Sequence, residues 1–230
     1  MKTNNYNIEK IIDSLNNRGY TNFLNPKDFM LVKGKLHKNE YKIFELYKDS
    51  NKVILYKKEI PNIKLYKIVT DIELRHQDIL GTIFSLGVNE DMFGDIFKHQ
   101  GNYYLFLEQT LEDYFKYNLI EIKNNKIELI ETDIEISNEF KQEYNKKEYI
   151  VTSLRIDNIV STITNQSRNQ VLEKFKNNEI ILNYQEEIKP TRILKENDIF
   201  SIKRYGKFKF SKILKETKKG SLIIEILEYK

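Results

Sequence analysis

Two short segments place basic side chains at predicted helix starts. A helix N-terminus with a basic side chain beside it is typical of a phosphate site. Ser167 has the side chain of a helix N-cap and Arg168 follows it in the first turn. Free backbone N–H groups and a guanidinium at the same helix end both attract an anion. Lys174 and Lys176 lie further along this helix, and Arg155 begins the preceding one. The residue types therefore predict binding of a polyanion.

Hydrophobic spacing defines the elements that would position these side chains. Apolar residues at i, i+3, i+4 and i+7 predict a first helix, and they are Ile156, Ile159, Val160 and Ile163. A second apolar stripe predicts the helix that begins after Ser167, and its members are Val171, Leu172 and Phe175. The pair Asn177-Asn178 then turns the chain into a short strand, 180–182. A loop with Lys189-Pro190 and a returning strand near 196–202 complete the pattern.

Charge is distributed unevenly along the chain. Residues 151–230 contain 16 Lys+Arg against 10 Asp+Glu, a net of +6, whereas residues 1–150 contain 22 against 24, a net of −2. Residues 203–219 alone hold eight basic side chains and one acid, Glu216. Such asymmetry is typical of a polyanion-binding module joined to a neutral one. A solvated, lysine-rich surface without a ligand is the alternative explanation.

Composition excludes several classes of chemistry. The chain of 230 residues has no cysteine, which excludes disulfides, zinc knuckles, thiol nucleophiles and iron–sulfur clusters. Its three histidines lack metal-ligand spacing, so no cofactor and no metal are expected. No apolar run reaches about 18 residues and the N-terminus does not look like a signal peptide, so we expect a cytoplasmic protein without membrane contact. His76 and Asp78 suggest an acid–base couple, but a buried or capping pair on a helix is the preferred interpretation.

The order of elements predicts an α+β protein of three small domains. Residues 1–62 would form a variable N-terminal domain with two helices and a strand–turn–strand unit within 41–56. Residues 63–147 would form a central α/β sandwich of ferredoxin-like or RNA-recognition-motif-like type. Its predicted elements are strand 63–69, helix 73–86, strands 95–98 and 103–107, helix 110–117, strands 119–122 and 126–129, and a polar connector with partial helix over 131–147. Residues 148–230 would form the basic third domain.

Residues 153–204 resemble the S4 RNA-binding domain, a small α-L module. The matching segments are Arg155-Ile156-Asp157, Ser167-Arg168, Ile181-Leu182-Asn183, Lys189-Pro190 and the run from Asn197 to Ile202. Glu179 and Asn197 stand where the pattern has glycine. The resemblance implies an S4 fold at the C-terminus, with a basic extension after it.

A wider resemblance covers roughly residues 63–230. The segments Arg75–Gly81, Leu86–Val88 and Phe93–Ile96, and the tail segments Gly206–Phe210 and Glu216–Gly220, are similar to the corresponding runs of YlmH-type proteins. Those proteins carry an S4 domain behind an RNA-binding domain. The resemblance implies an RNA-binding factor on the large ribosomal subunit, contacting 23S rRNA and peptidyl-tRNA in quality control of stalled translation. It implies no enzymatic activity, and we expect a monomer.

Residue by residue, the resemblance implies one principal pair of RNA contacts and a supporting set. The principal pair is Arg155 and Arg168. The supporting residues are Ser167, Gln170, Lys174, Asn183, Lys189, Lys203, Arg204, Lys207 and Lys209. Two alternatives remain for particular residues. Arg155 could pair with Asp157 instead of binding RNA. Tyr205, Phe208 and Phe210 could pack in a strand instead of stacking on bases.

Three other functions compete with this hypothesis. An S4 module can target an enzyme such as a pseudouridine synthase, but the chain lacks that class's Gly-Arg-Leu-Asp segment. It could also be an RNA-targeting accessory of a modification system. A protein–protein adaptor in cell division is the third, and its binding would respond little to salt, whereas phosphate-driven binding weakens steeply as salt rises.

Overall fold

A computed structural model describes the backbone of residues 2–229 and the side chains of residues 7–229. Contacts divide the chain into two compact units, residues 1–141 (unit 1) and residues 142–230 (unit 2). Both combine helices with antiparallel sheet, which confirms the predicted mixed α+β class. The finer division into 1–62, 63–147 and 148–230 stays a prediction. Among residues 2–229, no helix is both long and apolar enough to cross a membrane.

Unit 1 begins with two helices and a β-hairpin. Helix α1 spans Lys2–Asn17 and α2 spans Pro26–Lys33, with β1 at Lys42–Glu45 and β2 at Val53–Tyr56. Asn25 caps α2: its side-chain oxygen accepts a hydrogen bond from the Asp28 N–H at 2.9 Å, and Pro26 occupies the first helical position.

The rest of unit 1 follows the chain order β-α-β-β-α-β. The elements are β3 (Ile63–Val69), α3 (His76–Ser85), β4 (Phe93–His99), β5 (Asn102–Glu108), α4 (Glu112–Asn118) and β8 (Glu128–Thr132), with the short hairpin β6 (Glu121–Ile122) and β7 (Asn125–Lys126) before β8. The sheet has the strand order β4-β5-β3-β8, and all its neighbours are antiparallel.

Three predicted boundaries in this region were wrong. Helix α3 begins at His76, three residues later than predicted, because the Asp78 carboxylate accepts from the Arg75 backbone N–H and fixes the helix start there. Residues 119–129 form a tight hairpin before the edge strand instead of two longer strands. The connector with partial helix predicted over 131–147 does contain a 3₁₀ helix at Ile134–Glu139, but it also includes the end of β8 and the first half of the next strand.

Both faces of this four-stranded sheet are covered. One face packs on α3 and α4 through residues such as Ile79, Leu105 and Phe115. The other face packs on the N-terminal hairpin and on Phe140, through a largely aromatic set: Phe23, Leu46, Tyr47, Ile54, Ile63, Leu65, Phe97, Tyr104 and Phe106. The aromatic side chains of β5 are therefore core residues and are not displayed on an open sheet surface.

A buried polar pair ties the N-terminal hairpin to β4. Asp95 is 8% exposed and accepts hydrogen bonds from the Tyr47 hydroxyl at 3.0 Å and from the backbone N–H of Asn51 at 2.8 Å. Lys52 Nζ donates to the carbonyl oxygens of Glu90 and Phe93, each at 2.7 Å. Burial lowers the pKa of Lys52 to about 8, and the nearby Asp95 charge opposes that shift.

We expect Lys52 to make the stability of unit 1 depend on pH. Its pKa is about 8 in the folded chain against an ordinary 10.5, so the unfolded chain holds more protons between these values and the free energy of unfolding rises with pH there. Relative to a Lys52→Met variant, the wild type should gain on the order of 2 kcal/mol across this window. Urea unfolding followed by circular dichroism at both ends of the window measures it, and parallel pH curves for the two proteins would contradict it.

Unit 2 is built on a six-stranded antiparallel sheet. Its strands are β9 (Tyr144–Val151), β10 (Ile180–Leu182), β11 (Gln185–Glu186), β12 (Ile199–Ile202), β13 (Gly206–Glu216) and β14 (Leu222–Tyr229), in the order β11-β10-β12-β13-β14-β9. Helices α5 (Ile156–Thr164) and α6 (Arg168–Lys176) pack on one face of it. The two apolar stripes predicted for these helices both supply core residues, including Ile159 and Phe175.

Candidate nucleic-acid interface

The starts of α5 and α6 hold the residues that the sequence singles out. Arg155 is the N-cap residue of α5 and Ser167 is the N-cap of α6. Ser167 and Gln170 form a capping box, in which Gln170 Oε1 accepts from the Ser167 N–H at 2.9 Å. Gln170, a predicted RNA contact, therefore has a structural role at the helix end that carries Arg168.

A buried carboxylate organises the arginines at these helix starts. Asp157 is 4% exposed and accepts two hydrogen bonds from the Arg155 guanidinium, at 3.0 and 2.6 Å. The hydrogen bond to Asp157 raises the pKa of Arg155 above its ordinary value. Arg168 Nε lies 3.9 Å from the same carboxylate, and its side chain is 70% exposed. The alternative that Arg155 pairs with Asp157 is confirmed, and the pairing leaves Arg168 as the more exposed cation of the two.

The arginines border a polar cleft of about 230 Å³. It is lined by Thr152, Ser153, Arg155, Asp157, Asn158, Ser161 and Arg168. Asn158 shapes its rim, because its side-chain oxygen accepts from the backbone N–H of Thr152 at 3.1 Å and of Ser153 at 3.3 Å. The cleft presents hydroxyls, backbone groups and guanidinium donors to one space, which suits a phosphate or a ribose.

The loop that contains Lys189 lies beside this cleft. The Asp157 N–H donates to the Pro190 carbonyl at 3.1 Å, and the Ile156 N–H donates to the Arg192 carbonyl at 2.8 Å. Lys189 itself is exposed. The structure thus brings Arg155, Ser167, Arg168 and Lys189 to the same end of unit 2.

Two predicted contacts are largely occupied within the fold. Lys174 is 12% exposed, lies 3.0 Å from Glu179 and sits over the Tyr205 ring at 5.2 Å. Asn183 has a positive φ of 48° and joins two segments: its amide donates to Asp198 at 2.9 Å and its oxygen accepts from the Ile199 N–H at 3.0 Å. Their contacts stabilise the turns around β10 and hold little capacity for a ligand.

The remaining predicted contacts lie away from the cleft. Lys203 and Arg204 are exposed in the turn between β12 and β13. Lys207 and Lys209 flank Phe208 on β13, and Phe208 points into the core beneath the helices. Since side chains alternate along a strand, both lysines face the opposite surface of the sheet. Phe208 and Phe210 are both buried, so base stacking by them is excluded.

Asp157 and Asn158 line the cleft but were not among the predicted site residues. The only signal for Asp157 was its place in the Arg-x-Asp segment, since a buried acid cannot be told from an exposed one by its type. Asn158 carried no signal, because its partners are backbone N–H groups six and five residues earlier in the chain.

The segment with His76 and Asp78 is a helix start. Asp78 accepts from the Arg75 guanidinium at 2.8 Å and lies 2.9 Å from Lys123 Nζ. Hydrogen bonds from Arg75 and Lys123 hold the pKa of Asp78 far below its usual range, and burial lowers the pKa of His76. The predicted capping role of Asp78 is confirmed. Within the described part of the chain, no group of three or more metal-ligating side chains could hold an ion.

The chain is similar to one protein family and to two known proteins. Residues 59–136 match the family described as "Putative RNA-binding domain in YlmH". Ribosome-associated protein quality control protein P2 of Bacillus subtilis (strain 168) is 25% identical over 148 residues, which is 64% of this chain and 58% of that relative. The chain thus matches less than two thirds of the relative's length. The solved structure of cell division protein ylmH from Streptococcus pneumoniae overlays with a TM-score of 0.47 and 21% identity, covering 60% of this chain and 93% of that one.

The matched family assigns the central segment of the chain to a class of domains named for RNA binding. This match and the Bacillus subtilis relative agree with the resemblance to YlmH-type proteins that the sequence segments carry.

Proposed function

We propose that the protein is a non-catalytic RNA-binding factor that associates with the large ribosomal subunit. The observation that carries the proposal is the cleft in unit 2, where two guanidiniums share a buried carboxylate next to a helix N-terminus. The family match in unit 1 and the name of the Bacillus subtilis relative support it. The partners proposed are 23S rRNA and peptidyl-tRNA, and the process is rescue or quality control of stalled translation in the cytoplasm.

In this proposal residues 148–230 are an S4 domain with a basic extension, and residues 63–147 are a ferredoxin-like sandwich. Two adjacent helix starts and a neighbouring basic loop fit the S4 pattern of segments. The β-α-β-β-α-β order and the strand order β4-β5-β3-β8 fit the sandwich. An RNA-recognition-motif domain stacks bases on its open sheet face. Because that face is covered here by the N-terminal hairpin, unit 1 would contact RNA through another surface.

The cleft suits the backbone of folded RNA. A-form helices expose 2′-hydroxyls and phosphates but hide base edges in a deep groove, so an arginine pair and a hydroxyl-lined cleft can recognise shape without reading sequence. Arg168 would be the principal phosphate contact. Arg155 would act from a fixed position, because Asp157 holds its guanidinium bidentately.

We expect Arg168→Ala to weaken binding to a structured RNA by roughly tenfold, the effect of one charge-assisted contact. The slope of log affinity against log salt should fall by about 1. Lys176→Ala is a matched control, because Lys176 lies on the same helix, carries the same charge and has the same side-chain exposure of 70%. It differs from Arg168 in lying at the other end of the helix and in pairing with Glu173. Filter binding of an rRNA stem-loop across a salt series measures both.

Equal losses in the two variants would show that only the overall charge of unit 2 matters and would remove the cleft from the proposal. Binding that hardly changes with salt would instead favour an adaptor that docks on a protein.

The ribosomal part of the proposal has a separate test. Wild type and Arg168→Ala are sedimented with purified large subunits, with and without peptidyl-tRNA. We expect the wild type to co-sediment, more so with the tRNA, and Arg168→Ala to be depleted. Failure of the wild type to co-sediment under both conditions would overturn the ribosomal assignment while leaving RNA binding to be judged by the first experiment.

A further inference from the structure

The sheet of unit 2 has a second face, turned away from α5 and α6. On β13, Phe208 and Phe210 point to the helices, so the alternate residues Lys207 and Lys209 point outward. The strand register extends this surface sideways: Lys209 lies opposite Leu227, and Leu227 lies opposite Lys146. Tyr229 lies opposite Tyr144 in the next row. We call this surface the outer sheet face.

Aromatic rings and lysines are interleaved on the outer sheet face. Lys207 Nζ lies over the Tyr229 ring, 4.4 Å from its centroid, and over the Tyr184 ring at 5.1 Å. The rings of Tyr144 and Tyr229 meet edge to face with centroids 5.0 Å apart. The cation–π contacts hold Tyr184 and Tyr229, with Lys207 over one face of each ring, and the edge-to-face contact holds Tyr144 beside Tyr229. A rigid aromatic group with a cation beside it is a stacking site for a nucleobase with an adjacent phosphate site.

The charge of the outer sheet face is complementary to a polyanion. The rows of β13, β14 and β9 carry five lysines, Lys146, Lys207, Lys209, Lys212 and Lys215, against Glu148 and Glu225. Glu225 accepts a hydrogen bond from the Ser211 hydroxyl at 2.6 Å. A further acid, Glu186, lies at the far edge on β11. The positive charge is therefore concentrated over the strands that also carry the Tyr144–Tyr229 pair.

We propose that the outer sheet face binds single-stranded RNA, by stacking on the tyrosines and pairing of phosphates with the lysines. The inference rests on the proposed RNA-binding function and adds a second surface with a different substrate class. Stacking needs unpaired bases, which a duplex does not offer, whereas the cleft at the helix starts requires only a backbone. The two surfaces lie on opposite sides of one sheet, so one protein can hold a folded RNA on one side and an unpaired strand on the other.

The test uses the full chain and two fluorescein-labelled RNAs, a 12-nucleotide oligo(U) and a hairpin with a short loop. The charge variant is Lys146→Ala/Lys209→Ala, and the stacking variant is Tyr144→Leu. The matched control is Lys218→Ala/Lys219→Ala, which removes two exposed lysines from the turn between β13 and β14. Far-UV circular dichroism and thermal melting establish that every variant is folded.

We expect the charge variant to lose about tenfold or more in oligo(U) affinity and the stacking variant about fivefold, with hairpin affinity unchanged within about twofold. The control should match the wild type on both RNAs, and Arg168→Ala should lose hairpin affinity more than oligo(U) affinity.

The outcomes separate this inference from the proposed function. If both sheet variants bind oligo(U) as the wild type does while Arg168→Ala loses the hairpin, the inference is wrong and the proposed function stands. Equal losses of affinity for both RNAs in the sheet variants would overturn the single-strand assignment. Poly-glutamate that competes for the protein as effectively as RNA does would also overturn it. A wild type that binds neither RNA would overturn the inference and the proposed function together.

Discussion

Gly94→Ala is expected to destabilise unit 1 by about 3 kcal/mol or more, because an added methyl group has no space there. A Cβ at Gly94 would lie 2.6 Å from Phe106 Cβ, 2.9 Å from Leu46 Cδ1 and 3.1 Å from Phe23 Cε1. The first atom belongs to the neighbouring strand β5 and cannot rotate away. The other two belong to the N-terminal segment that covers the sheet. Substitution should therefore push the N-terminal hairpin off the sheet.

The matched control is Gly81→Ala. A Cβ at Gly81 meets nothing within 4 Å, and the residue lies inside α3, so alanine should stabilise unit 1 by roughly 0.5 to 1 kcal/mol. Urea unfolding followed by circular dichroism compares the two variants with the wild type. A Gly94→Ala protein as stable as the wild type would show that the hairpin does not pack tightly on the sheet.

Gly94 also shows why long-range contacts could not be predicted from the sequence. The segment Phe93-Gly94-Asp95 was recognisable as part of a family pattern, but its glycine and its acid act through residues far away in the chain. Asp95 receives hydrogen bonds from residues more than forty positions earlier. A pattern of residue types predicts local structure, whereas this contact depends on how the hairpin folds back over β4.

The elements with strong local signals were the predictable ones. Helices α5 and α6 follow from apolar spacing and from Ser167 as a cap, because helix hydrogen bonds and caps involve residues at most a few positions apart. For the alternation Lys207-Phe208-Lys209-Phe210, the sequence left packing in a strand and stacking on bases both open. It could not show that the lysines point away from the cleft, because that depends on which face the helices cover.

Family resemblance selected residues by type and position, and the structure shows that their contacts differ. It selected Arg155 and Arg168, and the structure places both at one cleft. It also selected Lys174 and Asn183, whose hydrogen bonds and ion pairs are internal to the fold. A residue type that matches a family pattern at a turn or a helix end is compatible with binding or with stabilisation, and only its contacts distinguish the two.

Asp157→Ala is expected to weaken RNA binding even though it makes the protein more positive. The carboxylate holds Arg155 bidentately, lies near Arg168 and also accepts from the Asn158 N–H at 2.9 Å. Without it both arginines would move freely, and each would lose conformational entropy on meeting RNA. Removal of the buried carboxylate leaves its hydrogen-bond donors without an acceptor. The free energy of unfolding of unit 2 should therefore fall by about 2 to 3 kcal/mol.

Glu173→Ala separates positioning from charge. It removes one negative charge from the same unit, but Glu173 is an exposed acid whose partner is Lys176 on the same helix. If overall charge governs binding, both variants should bind a structured RNA more tightly than the wild type. If positioning governs it, Glu173→Ala should bind as well or slightly better while Asp157→Ala binds several-fold more weakly, measured under conditions where melting shows both to be folded. Tighter binding by Asp157→Ala would mean that the carboxylate only attenuates the cleft and that its arginines need no partner to recognise phosphate.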